Sequence, residues 1–510
     1  MVYYIMALSI KAVFMTFSLK SIPLDDSFLK LGNEFLSIVK PTPFRSESTL
    51  IHYNKNAANL LDFENGIEQE QLFIDIFSGK QALQNAKPFS MLYAGHQFGH
   101  LNPQLGDGRA IIVAEIKNKN NEKWELQLKG SGPTPYSRGA DGRAVLRSTI
   151  REYLCSEAMF GLGIPTTRAL CMTGSEDEVY RENIETGAIL TRLAPSHIRF
   201  GSFEIFYYRH QYDHIRTLAD HVIEHHYPEL SSEENPYLAL LSEVIKRTAK
   251  LISAWQSVGF SHGVMNTDNM SILGLTLDYG PYGFLDNYDP GYICNHSDHQ
   301  GRYAFDQQPN IGLFNVSCFA QALLPLIDKS PDKAAEMAKK ELESYQSTFI
   351  SEYSKLMRRK LGLENEDEQD QRLLENLLNL MKDDNVDYTI LFRRLCNFDS
   401  TDTNNNNSIR DIFIQRDLFD LWSASYQQRL EKEHDNDEQR AIKMKQVNPK
   451  YILRNHMAEI AIKKAEKKDY SEIERLFNLL QNPFDEQPEN EEYAGLPPQW
   501  AQEISVSCSS

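Results

Sequence analysis

Residues 262–290, HGVMNTDNMSILGLTLDYGPYGFLDNYDP, are the stretch on which the reading of this chain turns. They place Asp268 and Asn269, a short apolar run and then Asp278-Tyr279-Gly280 in that order. Asn269 and Asp278 can offer side-chain oxygens from two adjoining loops, and hard oxygen ligands are what magnesium takes. The run between them, MSILGLTL, reads as a strand. Asp268 is the candidate for accepting a proton. Taken alone, NTDN is also the composition of a helix cap or Asx-turn, and DYG that of an ordinary turn. Both together, directly after a long amphipathic helix, favour a site.

That helix opens with Asn235 as N-cap and Pro236 at its first position. Leu241, Val244, Ile245, Ile252 and Trp255 give it an apolar face, and Gly259 ends it. Earlier in the chain, RAIIVAEI, WELQLKG, TRALCMTG and GAILTRLA read as short strands bounded by Gly, Pro or Asn. One helix interrupts them over residues 142–163, with Leu146, Ile150, Leu154 and Ala158 at helical spacing and Gly161 or Gly163 as the stop. Residues 15–90 read as mixed and helical. Beyond 310, amphipathic helices alternate with acidic loops and an Asn-rich loop, TDTNNNNS, and the acidic, Pro-punctuated tail reads as a surface strap. The expected organisation is an N-terminal extension (1–90), a small β-rich lobe (91–200), a large helical lobe (201–425), and C-terminal helices with a tail (426–510). This is an α+β, bilobal, protein-kinase-like fold, a plan in which nucleotides bind between the lobes.

A second constellation lies at WELQLKGSGPTPYSRGADGRAVLRSTIREYL, residues 124–154. From Lys129 to Arg151 inclusive there are five basic residues and one acid, an unusual balance in an acidic chain. Lys129 ends a strand, as a phosphate-binding lysine does in kinases. Glu152 sits in the following helix, off its apolar stripe, free to hold Lys129 in place. The plain alternative is a surface lysine and a solvated glutamate. Arg192 and Arg199 add guanidinium forks suited to phosphate oxygens, or to structural ion pairs. Gly106 and Gly108, just before a strand, let backbone amides approach phosphate closely. This is no dinucleotide fingerprint, because Ile111 stands at the third glycine position, and SGKQ lacks the Ser or Thr of a Walker loop. His96 with His100, and the CNHSDH run at 294–299, lack the partners of a zinc site.

Composition narrows the partners. The chain has 510 residues, 41% of them hydrophobic, and a formal net charge of −18. That charge argues against nucleic acid or an anionic membrane as the main partner. The six cysteines form no CxxC pair, which fits a reducing cytoplasm better than a disulfide scaffold. The apolar opening lacks a basic start and a cleavage site and is too short to span a bilayer. Met15 is a candidate for the true start, and no later stretch reads as transmembrane.

The blocks YAGHQFGHLNPQLGDGRA, QLKGSGPTPYSRGADGRAVLRSTIREYL, TRLAPSHIRFGSFE and HGVMNTDNMSILGLTLDYGPYGFLD, with the ending CSS, resemble the selenoprotein O family over roughly residues 20–510. Members of that family, long classed as pseudokinases, are protein adenylyltransferases with a kinase-like fold. They bind ATP flipped, its α-phosphate facing the acceptor. The resemblance implies that Asp268 is the base, and that Asn269 and Asp278 hold Mg²⁺ or Mn²⁺. It implies further that Gly106, Gly108, Arg109, Lys129, Asp141, Gly142, Arg192, Arg199 and Asp278 contact ATP, with Glu152 orienting Lys129. Val264 then stands where a kinase keeps its own base, because the reacting phosphorus lies elsewhere.

The expected activity is AMP transfer from ATP to Ser, Thr or Tyr hydroxyls of proteins by a monomer, with UTP as another possible donor. A conventional phosphotransferase and a non-catalytic nucleotide-binding scaffold are the alternatives. The chain departs from the family at its tail. Some members carry selenocysteine third from the end with a nearby cysteine; here those places hold Cys508 and Ser505. A disulfide between Cys508 and Cys294, making turnover redox-sensitive, is the resulting hypothesis.

Overall fold

The computed structural model describes residues 16–506. Its strands are β1 (Leu24–Asp25), β2 (Leu36–Ile38), β3 (Thr49–Tyr53), β4 (Phe89–Met91), β5 (Gly95–Gln97), β6 (His100–Asn102), β7 (Ala110–Lys117), β8 (Lys123–Lys129), β9 (Ala144–Val145), β10 (Arg168–Tyr180) and β11 (Ile184–Ala194), followed by a small pair, β12 (Phe260–Ser261) and β13 (Gly283–Phe284). Nine of them form one antiparallel sheet in the order β2-β4-β7-β8-β11-β10-β3, with β1 on β7 and β9 on β11. β5 and β6 make a separate hairpin. The α+β class expected from the sequence is what the chain adopts.

Strand alternation explains how this sheet serves a site. Along β8, Leu126 and Leu128 turn to one face, while Glu125, Gln127 and Lys129 turn to the other. On β11, Arg192 lies directly opposite Gln127 and Leu190 opposite Lys129. Leu126, Leu128, Ile189 and Leu193 share a core with Ala57, Phe73, Ile76 and Phe77. The N-terminal segment therefore covers the sheet's far face. Residues 15–90, read as mixed and helical, are mixed in their described part: two short α-helices, Lys55–Asn59 and Gln71–Phe77, and the 3₁₀ turns Leu29–Leu31 and Ile67–Gln69 alternate with four short strands that join the sheet and that the sequence reading did not place. Strands of two to five residues are too short to show an alternating pattern.

The near face meets the helix Leu146–Gly161. Its Ile150, Tyr153, Leu154 and Ala158 pack with Ala188 and Leu190 of β11, with Ile252 and Trp255 of the helix Pro236–Ser257, and with Ile473, Leu476 and Leu480 of the helix Ser471–Gln481. The end of the chain thus folds back onto the helix that carries Glu152. Asn235 caps Pro236–Ser257 as expected, its side chain accepting from the Leu238 N–H, and Gly259 follows with a φ of +71°.

Two other expectations change. MSILGLTL is not a strand: Met270 and Thr276 pair only as an isolated bridge, because Gly274 turns the chain at φ +69°. One stretch, Phe305–Ile327, is long and apolar enough by length and composition to cross a membrane, contrary to the sequence reading. Most of it is buried inside the protein, where Val316, Phe319 and Leu323 join the core of the helical region. The tail runs over the surface through short 3₁₀ turns at Pro488–Ala494 and Gln499–Glu503. Its last described residue, Val506, accepts at its carbonyl from the N–H of residue 296. The candidate start at Met15 and Cys508 lie outside the described residues.

Candidate active site

Lys129, at the end of β8, donates to Glu152 at 2.5 Å and to Asp278 at 3.2 Å. Arg192, on the neighbouring strand, donates to the other Glu152 oxygen at 2.9 Å, to Asp278 at 2.5 Å and to Gln127 at 3.0 Å. Arg199 reaches Asp278 at 2.7 Å and the Asp268 carbonyl at 2.8 Å. Three cations from three separate places thus converge on one carboxylate. Burial alone would raise the Asp278 pKa, but Arg192, Lys129 and Arg199 hold it well below the usual range. Asp278 itself adopts φ +56°, a left-handed conformation that is uncommon outside glycine and concentrates at functional sites. Its loop is pinned on both sides: His262 Nε2 bonds the Leu277 carbonyl at 2.9 Å, Trp255 donates to Thr276 at 3.0 Å, and Tyr279 bonds Thr166.

Asp268 lies in the 3₁₀ turn Thr267–Asn269 and is buried. Burial pushes its pKa up to about 6, against the pull of Arg199 and of Gln97, which donates to its Oδ2 at 3.1 Å. Its Oδ1 has no partner. Asn269 commits its amide nitrogen to the Val264 carbonyl at 2.9 Å, which leaves its oxygen as the ligand atom.

These groups share a cavity of about 670 Å³ that Gly106, Gly108, Arg109, Asp141 and Gly142 also line. Seven Lys and Arg side chains face it against four Asp, in a chain whose net charge is −18. Arg109 has no carboxylate partner among the described residues. Gly106 has φ +141°, and a Cβ there would come within 2.4 Å of the Tyr136 ring; one on Gly142 would come within 2.1 Å of the Gly132 carbonyl. The two glycine-bearing segments are stitched together, Thr134 Oγ1 donating to the Asp107 carbonyl at 2.7 Å and Ser137 to that of Gly108. Asp141 stands at the rim, gripped by Arg181 through two bonds of 2.8 and 2.9 Å.

Every residue that the resemblance implies for the site borders this cavity or, like Glu152, braces a residue that does. Sequence reasoning missed Tyr93, Gln97, Asp107 and Gln127. Buried Asp107 accepts from Tyr93, Gln127 and the Met91 N–H, each at 3.2 Å, and lies 3.6 Å from Arg199, whose guanidinium stacks 4.6 Å from the Tyr93 ring. An acid between two glycines was the visible signal for Asp107, and strand alternation from Lys129 was the one for Gln127. Tyr93 and Gln97 lie in the block YAGHQFGHLNPQLGDGRA that carries the resemblance, but no spacing there marked them individually. The disfavoured zinc readings find different uses here: His96 bonds Glu204 at 2.6 Å, His100 is exposed, and Asn295 and Asp298 serve loop hydrogen bonds.

A cation-lined cleft holding buried carboxylates, on an α+β scaffold, is the class this geometry defines. The sequence model of the family described as protein adenylyltransferase SelO matches residues 19–481. A protein nucleotidyltransferase YdiU of Thioalkalivibrio sulfidiphilus is 54% identical over 95% of this chain and 98% of its own length. Those of Myxococcus xanthus and Thiobacillus denitrificans are 50% and 52% identical, each covered over its full length by 97% of this chain. The chain belongs to the SelO family.

Proposed function

We propose that this protein transfers AMP from ATP to Ser, Thr or Tyr hydroxyls of protein acceptors and releases pyrophosphate, on a two-lobed, kinase-like scaffold. The observation that carries the proposal is the convergence of Lys129, Arg192 and Arg199 on Asp278 beside a buried carboxylate, Asp268, in a chain of this family. Asn269 and Asp278 fit a hard divalent cation, Mg²⁺ or Mn²⁺, since both bring side-chain oxygens to one cavity. When bound, that ion neutralises phosphate charge.

The protein's own groups do the rest. Phosphate oxygens replace Asp278 as acceptors for the three cations, while Glu152 keeps Lys129 and Arg192 oriented. Gly106, Gly108, Arg109, Asp141 and Gly142 are the further nucleotide contacts. The triphosphate lies with its outer phosphates on the basic sheet side and its α-phosphorus toward Asp268. As the acceptor oxygen bonds to that phosphorus, the bond from it to the bridging oxygen breaks. The hydroxyl proton passes to Asp268 and the bonding pair leaves with pyrophosphate. Charge stabilisation of that leaving group supplies much of the rate, and one such cation is worth roughly 10³–10⁵ in related transfers. UTP can follow the same path.

The net charge of −18 argues against nucleic acid or an anionic membrane as the main partner. We place the active monomer in a reducing cytoplasm, consistent with five free thiols among the described residues. A Cys294–Cys508 disulfide remains part of the proposal. Cys294 is buried against Ser261, and the Val506 carbonyl is bonded two residues from it.

Incubation with casein, Mg²⁺ and ATP labelled at either the α or the γ phosphate tests the reading. Label from the α position, lost in Asp278→Ala and strongly reduced in Lys129→Ala and Asp268→Ala, is the expected result. Label from γ alone would establish a phosphotransferase, and no label a scaffold.

A further inference from the structure

The β5–β6 hairpin, residues 95–102, lies directly over the turn that carries Asp268. The His96 N–H donates to Thr267 Oγ1 at 2.7 Å. The Phe98 N–H donates to the Tyr303 hydroxyl at 2.8 Å, and that hydroxyl donates to Asn266 at 2.6 Å. Glu204 joins the two segments from below, one oxygen 2.6 Å from His96 Nδ1 and the other accepting from Thr267. Glu204, His96 and Cys318 bring three metal-type donor atoms within 4.8 Å of one another. Both Glu204 oxygens are spent on the tie, so the cluster is a brace. At Gly95 the approach is so close that a Cβ would stand 2.4 Å from Asp268 Oδ1 and 2.9 Å from its Cβ.

So anchored, the hairpin delivers Gln97 into the cavity with its Nε2 3.1 Å from Asp268 Oδ2. The other carboxylate oxygen is buried and unpartnered. Among the described residues Gln97 is thus the side chain that donates to the Asp268 carboxylate, and both residues line the cavity. A carboxylate oxygen has two lone-pair directions, so an amide on one leaves the other for an incoming hydroxyl. We propose that Gln97 is a positioning residue for AMP transfer: it fixes the plane of the Asp268 carboxylate so that Oδ2 presents one lone pair to the acceptor hydroxyl. The inference rests on the reading of Asp268 as the base.

Gln97→Met keeps the side-chain length and removes the donor; Gln97→Glu replaces the donor with an acceptor. A misplaced reacting group can lower a rate roughly 10²-fold. For casein modification with α-labelled ATP, both variants are therefore expected to lower kcat about tenfold to a hundredfold, with the KM for ATP and for casein unchanged. In an Asp268→Ala background, Gln97→Met should change the residual rate less than twofold, because its effect passes through Asp268. Wild-type kcat in both Gln97 variants would overturn the inference. So would a raised KM for casein at unchanged kcat, which would make Gln97 an acceptor contact. An equal fractional loss with and without Asp268 would do the same. Failure of the wild type to transfer α-label would instead overturn the functional reading beneath it.

Discussion

Asp278 neutralises three buried cations, and the proposed transfer requires it to yield them to phosphate. Removing one partner of a buried ion pair costs about 3–5 kcal/mol, because the remaining charge is left uncompensated. Asp278→Ala is therefore expected to lower the Tm of the free protein as well as abolish transfer. ATP added without metal should restore part of that Tm, since its phosphates supply the missing negative charge, and a variant indifferent to ATP would contradict this. Lys129, Glu152, Asp268, Asn269 and Asp278 were readable from sequence because each sits at a recognisable offset within a short motif. Gln97 and Tyr93 were not. They reach the site from a hairpin and loop distant in the chain, through a register that no local pattern encodes.

At the scale of elements, the helix Leu146–Gly161 carries Glu152 and is clamped from outside by Ser471–Gln481. Leu476 in that clamp is fully buried. A buried Leu→Ala change typically costs 2–5 kcal/mol. Leu476→Ala should lower stability by about that much and should lower transfer activity too, by loosening the Glu152–Lys129 pair; full activity at saturating ATP would argue that the clamp is merely structural. Lys360, the last residue of the helix Pro331–Lys360, is buried with its Nζ 4.5 Å from the Phe392 ring centroid and no acidic partner among the described residues. Burial lowers its pKa from 10.5 to about 7. Between those values the unfolded chain binds a proton that the folded one does not, so this group's penalty is full below pH 7 and fades as pH rises toward 10.5. Lys360→Met should melt higher than wild type at pH 7, with the difference shrinking by pH 10. A difference constant with pH would show that Lys360 is charged in the fold. The long strands β7, β8, β10 and β11 and the two central helices were legible because each carries a full period of its pattern. The short N-terminal strands and the broken run at 270–277 do not, and there the sequence reading failed.

For the whole molecule, a run of strands followed by a run of helices was enough to set the α+β class. What the order of elements could not show is that the two chain ends serve the same sheet. The N-terminal segment covers its far face and the C-terminal helices press the Glu152 helix onto its near face. Such closure depends on contacts hundreds of residues apart, such as that between His52 and Glu474 at 2.7 Å. The cavity, lined by seven Lys and Arg against four Asp, is the basic exception in a chain of net charge −18. Which way the triphosphate lies in that cavity decides between AMP transfer and phosphoryl transfer. A crystal structure with a non-hydrolysable ATP analogue and Mg²⁺ tests it directly: the α-phosphorus should be the one nearest Asp268, with the γ-phosphate held by the basic group around Lys129. A γ-phosphate beside Asp268, with the α-phosphorus remote from it, would contradict the account.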